Sequence, residues 1–133
     1  MKKKVGSIEK INFINICGEI DAKVDTGAWR TSLHVDDIYI MDDKLYFHIG
    51  RQRFCYEQYK TIKVKSSFGK SQTRYSIKTK VKLGDDFYKI SISLSNRKNM
   101  KYKCLIGRRF LYKNKFLVDV NKRFINNDNY KEM

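Results

Sequence analysis

The sequence predicts an all-β fold with one short helix, built as a single domain. Three observations point there. At 133 residues the chain has the length of one domain. Its apolar residues recur mainly at every second position, the period of a strand with one buried and one wet face. Proline is absent, and the seven glycines stand mostly where strand-like runs end. With 41% hydrophobic and 14% aromatic residues there is apolar material for a packed core, which excludes a chain disordered throughout. No stretch approaches the roughly 18–20 apolar residues of a membrane span. Met1-Lys2-Lys3-Lys4 leads into no continuous apolar signal region, so a cytoplasmic protein with no membrane partner is expected.

The elements follow in order. Ile8 to Ile16 reads as a first strand. Ile20, Ala22 and Val24 then alternate with Asp21 and Lys23, a second strand that runs into Asp25-Thr26-Gly27. Ile38 to Met41 and Leu45 to Ile49 are strands joined by the turn Asp42-Asp43. Tyr59 to Lys65 is followed by the turn residues Phe68-Gly69-Lys70. Tyr75, Ile77, Thr79, Val81 and Leu83 alternate with Ser76, Lys78, Lys80 and Lys82, and after Gly84-Asp85-Asp86 the pattern resumes as Tyr88, Ile90, Ile92 and Leu94. That pair is a hairpin with one solvated, lysine-rich face. A helix is expected only near Arg108 to Tyr112, just after Gly107, and Phe116 to Val120 forms a last strand. About eight strands then make a closed barrel or folded sheet. The domain spans 1–133, with its core over 5–124 and a polar tail over 125–133 expected to fray.

The charge is +15, from 29 Lys and Arg against 14 Asp and Glu. It is also uneven. Arg51 to Lys82 carries ten basic residues and one acid, Glu57, whereas Asp36 to Gly50 carries four acids and one lysine. A localised basic face implies an anionic partner, and nucleic acid and an acidic peptide meet that demand equally. Cys17, Cys55 and Cys104 are odd in number and widely spaced, with no CxxC pair. They read as reduced, mostly structural thiols, and no metal or other cofactor is implied.

Ala22-Lys23-Val24-Asp25-Thr26-Gly27-Ala28 delivers one carboxylate from an amphipathic strand into a tight turn. Asp-Thr-Gly suits an aspartic protease: the Asp is held where a second carboxylate can approach, the Thr hydroxyl can brace the turn, and Gly admits close backbone approach. As a bare tripeptide it also marks ordinary turns. The chain is too short for a two-lobed enzyme with a core in each lobe, so a two-carboxylate site would need two chains.

Three segments taken together are more specific. AKVDTGAWRTSLH from Ala22 to His34, VKSSFGKSQTR from Val64 to Arg74, and LIGRRFLYKNKFLVD from Leu105 to Asp119 resemble the bacterial branch of retropepsin-like aspartic endopeptidases, a family labelled "ATP-dependent zinc protease". The likeness runs from about Val5 to Phe124. It implies a retropepsin-like barrel that works as a two-fold homodimer, with Asp25, Thr26 and Gly27 catalytic. It further implies that the hairpin from Lys63 to Lys78 is a flap with Gly69 at its tip. Substrate-binding candidates are Ala28, Arg30, Ser32, His34, Lys65, Ser66, Ser67, Gly69, Arg74 and Arg108. Such families are associated with a glutamate ligase that adds glutamates to a ribosomal protein, so the resemblance implies an acidic, poly-glutamate peptide as substrate, with the glutamylated ribosomal protein and the ligase as partners. The zinc label finds no support, because there is no HExxH and His34 and His48 lack a third ligand.

Simpler roles stand beside these. Ser32 and His34 could equally brace a strand; Arg108 could pair with a carboxylate near the helix start; Asp119 is a candidate partner for an arginine. Two further functions remain open: a basic β-barrel RNA-binding module using Tyr56, Tyr59 and Tyr75 as stacking platforms, and an inactive retropepsin fold that only binds. A poly-glutamate ligand accounts for the charge without nucleic acid.

Overall fold

The computed structural model describes residues 3–65, 69–126 and 131–132. The strands are β1 (Lys3–Val5), β2 (Ile8–Phe13), β3 (Gly18–Asp25), β4 (Thr31–His34), β5 (Asp36–Met41), β6 (Lys44–Ile49), β7 (Gln52–Tyr56), β8 (Lys60–Lys65), β9 (Ser71–Leu83), β10 (Asp86–Ser95) and β11 (Cys104–Gly107). A single helix, α1 (Arg108–Lys113), follows, then β12 (Phe116–Val118), β13 (Lys122–Arg123) and β14 (Lys131–Glu132). The expected all-β architecture with one short helix is present.

Six strands close on themselves. The sheet order runs β10-β4-β11-β3-β2-β9, and β9 pairs back onto β10, so the ring has no free edge. The β9–β10 ladder is the longest, from Leu83 opposite Asp86 to Tyr75 opposite Leu94. It is the hairpin that the alternating pattern predicts, with Ile77, Val81, Ile90, Ile92 and Leu94 buried. β8 lies outside the ring and pairs only with β9, from Lys60 opposite Ser76 to Lys65 opposite Ser71. This is the hairpin expected as a flap. Asp36 to Tyr56 forms a separate meander, β5-β6-β7, whose Leu45 and Phe47 join the main core.

The strand count exceeds the expected eight. The apolar run from Ile8 to Ile16 stops as a strand at Phe13, where a turn is closed by the Ile16 amide donating to the Phe13 carbonyl at 3.1 Å. β4 and β7 carry no clean two-residue alternation; β4 is instead buried because it is inserted between β10 and β11. β12 is shorter than the Phe116 to Val120 reading, since it pairs only with the three residues of β1, and β13 and β14 follow it.

The segment around β2 and the segment after β13 are bound together. The Glu9 carboxylate is fully buried and accepts the amides of Gly6 at 2.7 Å and of Ile125 and Asn126 at 3.2 Å each. Phe124 N–H donates to the Ile8 carbonyl at 2.8 Å. A Cβ at Gly6 would collide with the Lys122 carbonyl, so glycine there lets the two segments touch. Among the described residues no helix is long and apolar enough to cross a membrane.

Candidate active site

Asp25 is the last residue of β3 and lies opposite Gly107, the last residue of β11, in a parallel ladder. Two strands thus end side by side, one into the Asp-Thr-Gly turn and the other into α1. The turn is held locally: Gly27 N–H donates to Asp25 Oδ1 at 3.0 Å, and Ala28 N–H to the Asp25 carbonyl at 3.2 Å. One carboxylate oxygen is therefore spent on orientation, which leaves Oδ2 for other work. Asp25 itself is half-buried, while Thr26 and Gly27 are exposed.

The helix and the turn satisfy each other. A helix leaves its first amides without internal partners, and Gly107 offers no side-chain cap. Arg108 and Arg109 instead donate their amides to the carbonyls of Ala28 at 2.7 Å and Trp29 at 3.0 Å. The Arg108 side chain donates to the Thr26 carbonyl at 3.1 Å, and its guanidinium carbon stands 5.4 Å from the Trp29 ring centroid. A Cβ at Gly107 would strike the Arg30 carbonyl, so only glycine allows the crossing. Its amide is held by the Thr31 hydroxyl at 3.0 Å in a buried setting. Within one chain the bracing hydroxyl is Thr31's, a role that the sequence reading did not give it; Thr26 contributes its carbonyl. The spacing alone carries no signal for Thr31, because Gly107 lies 76 residues away.

The other candidates divide into groups. Asp25, Thr26, Gly27, Ala28, Arg30 and Arg108 are gathered at the turn. Ser32 is buried on β4 opposite Ser93. His34 is absorbed by its surroundings: Nδ1 accepts the Arg97 amide at 2.7 Å and Nε2 lies 3.3 Å from Asp36 Oδ1. Lys65 ends β8, Gly69 has φ +79° and Arg74 lies on β9, all in the hairpin. Ser66 and Ser67 lie outside the described residues. Arg74 Nη2 donates to Gln72 Oε1 at 3.5 Å, while its Nε is buried without a partner. No hydrogen bond or ion pair joins this hairpin to the turn among the described residues. Asp119 meets Lys122 Nζ at 3.8 Å and the Asn121 amide at 3.1 Å, where an arginine was expected. Arg108, in turn, bonds a carbonyl and not a carboxylate.

The thiols are free. Burial pushes Cys17 up to about 11 and raises Cys104 further, so neither is a nucleophile at neutral pH. Cys55 is exposed, Cys17 half-buried and Cys104 buried, so the expectation of mostly structural thiols does not extend to Cys55 as a core residue.

The family model for the RimB-like, retropepsin-like aspartic endopeptidase RimB matches residues 48–129, a stretch that includes the hairpin and the Gly107–Arg108 turn. Two curated relatives carry the name "Probable alpha-L-glutamate ligase". The one from Shewanella pealeana is 30% identical over 79% of this chain and 25% of its own length. The one from Desulfotalea psychrophila is 32% identical over 80% and 26%. The chain thus spans about a quarter of these relatives. A crystal structure of a Legionella pneumophila protein of unknown function aligns with a TM-score of 0.76 at 28% identity, over 96% of this chain and 100% of that one.

Proposed function

This chain belongs to the RimB-like family of retropepsin-like aspartic endopeptidases, and from that premise we propose that it hydrolyses peptide bonds in acidic, glutamate-rich segments with a pair of Asp25 carboxylates, one from each of two chains. The observation that carries the reading is the Asp25 turn locked against Gly107 and Arg108, with Oδ1 engaged by the Gly27 amide. A carboxylate so oriented at the rim of a rigid barrel is preorganised for acid–base work.

One chain carries one such turn, so the pair requires a twin related by a two-fold axis. Two carboxylates a few ångströms apart share one proton, because both cannot ionise cheaply. The ionised member takes a proton from water as it attacks the scissile carbonyl, and the protonated member donates to the carbonyl oxygen. Trp29, exposed beside the turn, supplies apolar surface for the partner copy. The β8–β9 hairpin acts as the cover that excludes water.

Glutamate as the substrate residue is supported by charge and by company. The hairpin region is basic, and about a quarter of each polypeptide named as a glutamate ligase is similar to this chain. We assign the substrate as the poly-glutamate tail of a ribosomal protein, the ligase as a functional partner, and the cytoplasm as the compartment.

The test is Asp25→Asn, assayed on a poly-glutamate-tailed peptide together with sedimentation analysis. Loss of cleavage in a folded variant is expected, along with wild-type activity per chain that falls on dilution as the pair dissociates. Retained cleavage in Asp25→Asn overturns the reading.

A further inference from the structure

A cationic groove leads away from the Asp25 turn. Its first compartment is lined by Arg30 and Thr31, which follow the turn, and by Lys89, Ser93, Arg109 and Lys113. It continues along β9 and β10 past Lys78 and Lys80 and ends at Lys60 on β8; Ser91 lines all three compartments. Seven Lys and Arg residues face this path and no acidic side chain does, although the chain contains 14 acids. The ion pairs among the described residues engage Lys3, Lys10, His34, Lys44, His48 and Lys122, none of which lines the groove.

Two features of the groove cost stability in the isolated protein. Lys80 and Lys89 are directly opposite in the β9–β10 ladder, a like-charge pairing that weakens a sheet. Ser93 is 2% exposed, and its hydroxyl is buried with no hydrogen-bond partner, which leaves a desolvated donor unused. Both costs are relieved by an anion that also accepts a hydrogen bond.

We propose that this groove is an exosite for an acidic peptide, in which one carboxylate is bound by the Ser93 hydroxyl among Arg30, Lys89, Arg109 and Lys113, and further carboxylates lie along Lys78, Lys80 and Lys60. The inference rests on the peptidase reading for the identity of its occupant, but the binding itself does not need Asp25. A peptide is favoured over nucleic acid because the tyrosines along the groove are already engaged. Tyr56 stacks on Phe47 with centroids 5.8 Å apart, and Tyr59 packs edge-on against Tyr75 at 6.0 Å, so neither stands free as a platform for bases. The groove starts at the residues that follow the turn, and a chain threaded along it continues toward the cleavage site.

The experiment measures binding of labelled glutamate oligomers of increasing length to the whole 133-residue chain carrying Asp25→Asn by fluorescence anisotropy, at low and high salt. Affinity is expected to rise with oligomer length and to fall with salt. Lys89→Gln combined with Lys113→Gln should weaken the long oligomer about tenfold and flatten the salt dependence. Ser93→Ala should weaken it severalfold while leaving the melting temperature unchanged or higher, since it removes an unpaired buried hydroxyl. Unchanged affinity in the lysine double variant overturns the proposal, as does binding of single-stranded RNA of equal charge with none of the glutamate oligomer. Because the readout is binding, continued cleavage by Asp25→Asn would remove the Asp25 pair as the catalytic group and leave the groove's own test intact.

Discussion

The Thr31 hydroxyl accepts the Gly107 amide at 3.0 Å in the interior, tying the strand after the Asp25 turn to the strand that enters the helix. Thr31→Val keeps the shape and removes the acceptor, so a buried amide is left unpaired at about 1–3 kcal/mol. Urea denaturation should show a loss of that size, with a Thr31→Ser variant close to the parent. Gly107→Ala should be worse, because its Cβ meets backbone and not a movable side chain.

Trp29 is the single tryptophan, and Arg108 lies over its ring. An exposed cation–π contact contributes about 0.5–1 kcal/mol, so Arg108→Ala should barely shift overall stability. It should move the tryptophan emission to the red as the ring loses its cover. Because the same side chain anchors the Thr26 carbonyl, the proposed peptide hydrolysis should fall about tenfold or more. Arg108→Lys should recover little, since an ammonium lacks the planar fork that both donates to the carbonyl and lies on the ring.

Glu9 accepts amides from Gly6 and from the distant Ile125 and Asn126. Glu9→Gln keeps the volume but swaps a charged acceptor of three amides for a neutral group with one acceptor oxygen. Bonds to charged groups contribute about 1.5–3 kcal/mol each, so a loss of several kcal/mol is expected. Hydrogen exchange should quicken first at Ile125 and Asn126.

Cysteine accessibility provides a fourth check. Cys55 is exposed, whereas Cys17 is raised to about 11 and Cys104 is fully buried. A thiol alkylator at neutral pH should modify Cys55 alone in the folded protein and all three cysteines in urea. Rapid labelling of Cys104 in buffer would mean that the barrel opens at β11.

Legibility followed the range of the interactions. The β9–β10 hairpin is readable because a two-residue period and a short turn are local properties. The helix is readable from Gly107 onward, and Asp25-Thr26-Gly27 is visible as a motif. β4 escaped because its residues, Thr31 to His34, are buried through pairing with two strands more than fifty positions away. His34 reads from the sequence as a substrate-binding candidate that could equally brace a strand, and only the fold brings the Arg97 amide to its Nδ1.

By itself the sequence determined the class of fold and the position of the carboxylate turn, and its uneven charge supplied the expectation of an anionic partner. These depend on composition, period and spacing along the chain. Only the tertiary structure decided which strands close the barrel, that Thr31 and Arg108 hold the turn, and that basic residues scattered from Arg30 to α1 line one groove whose first compartment holds the unpaired Ser93 hydroxyl. Those relationships join residues far apart in sequence, and it is strand register and packing, not local preference, that bring them into contact.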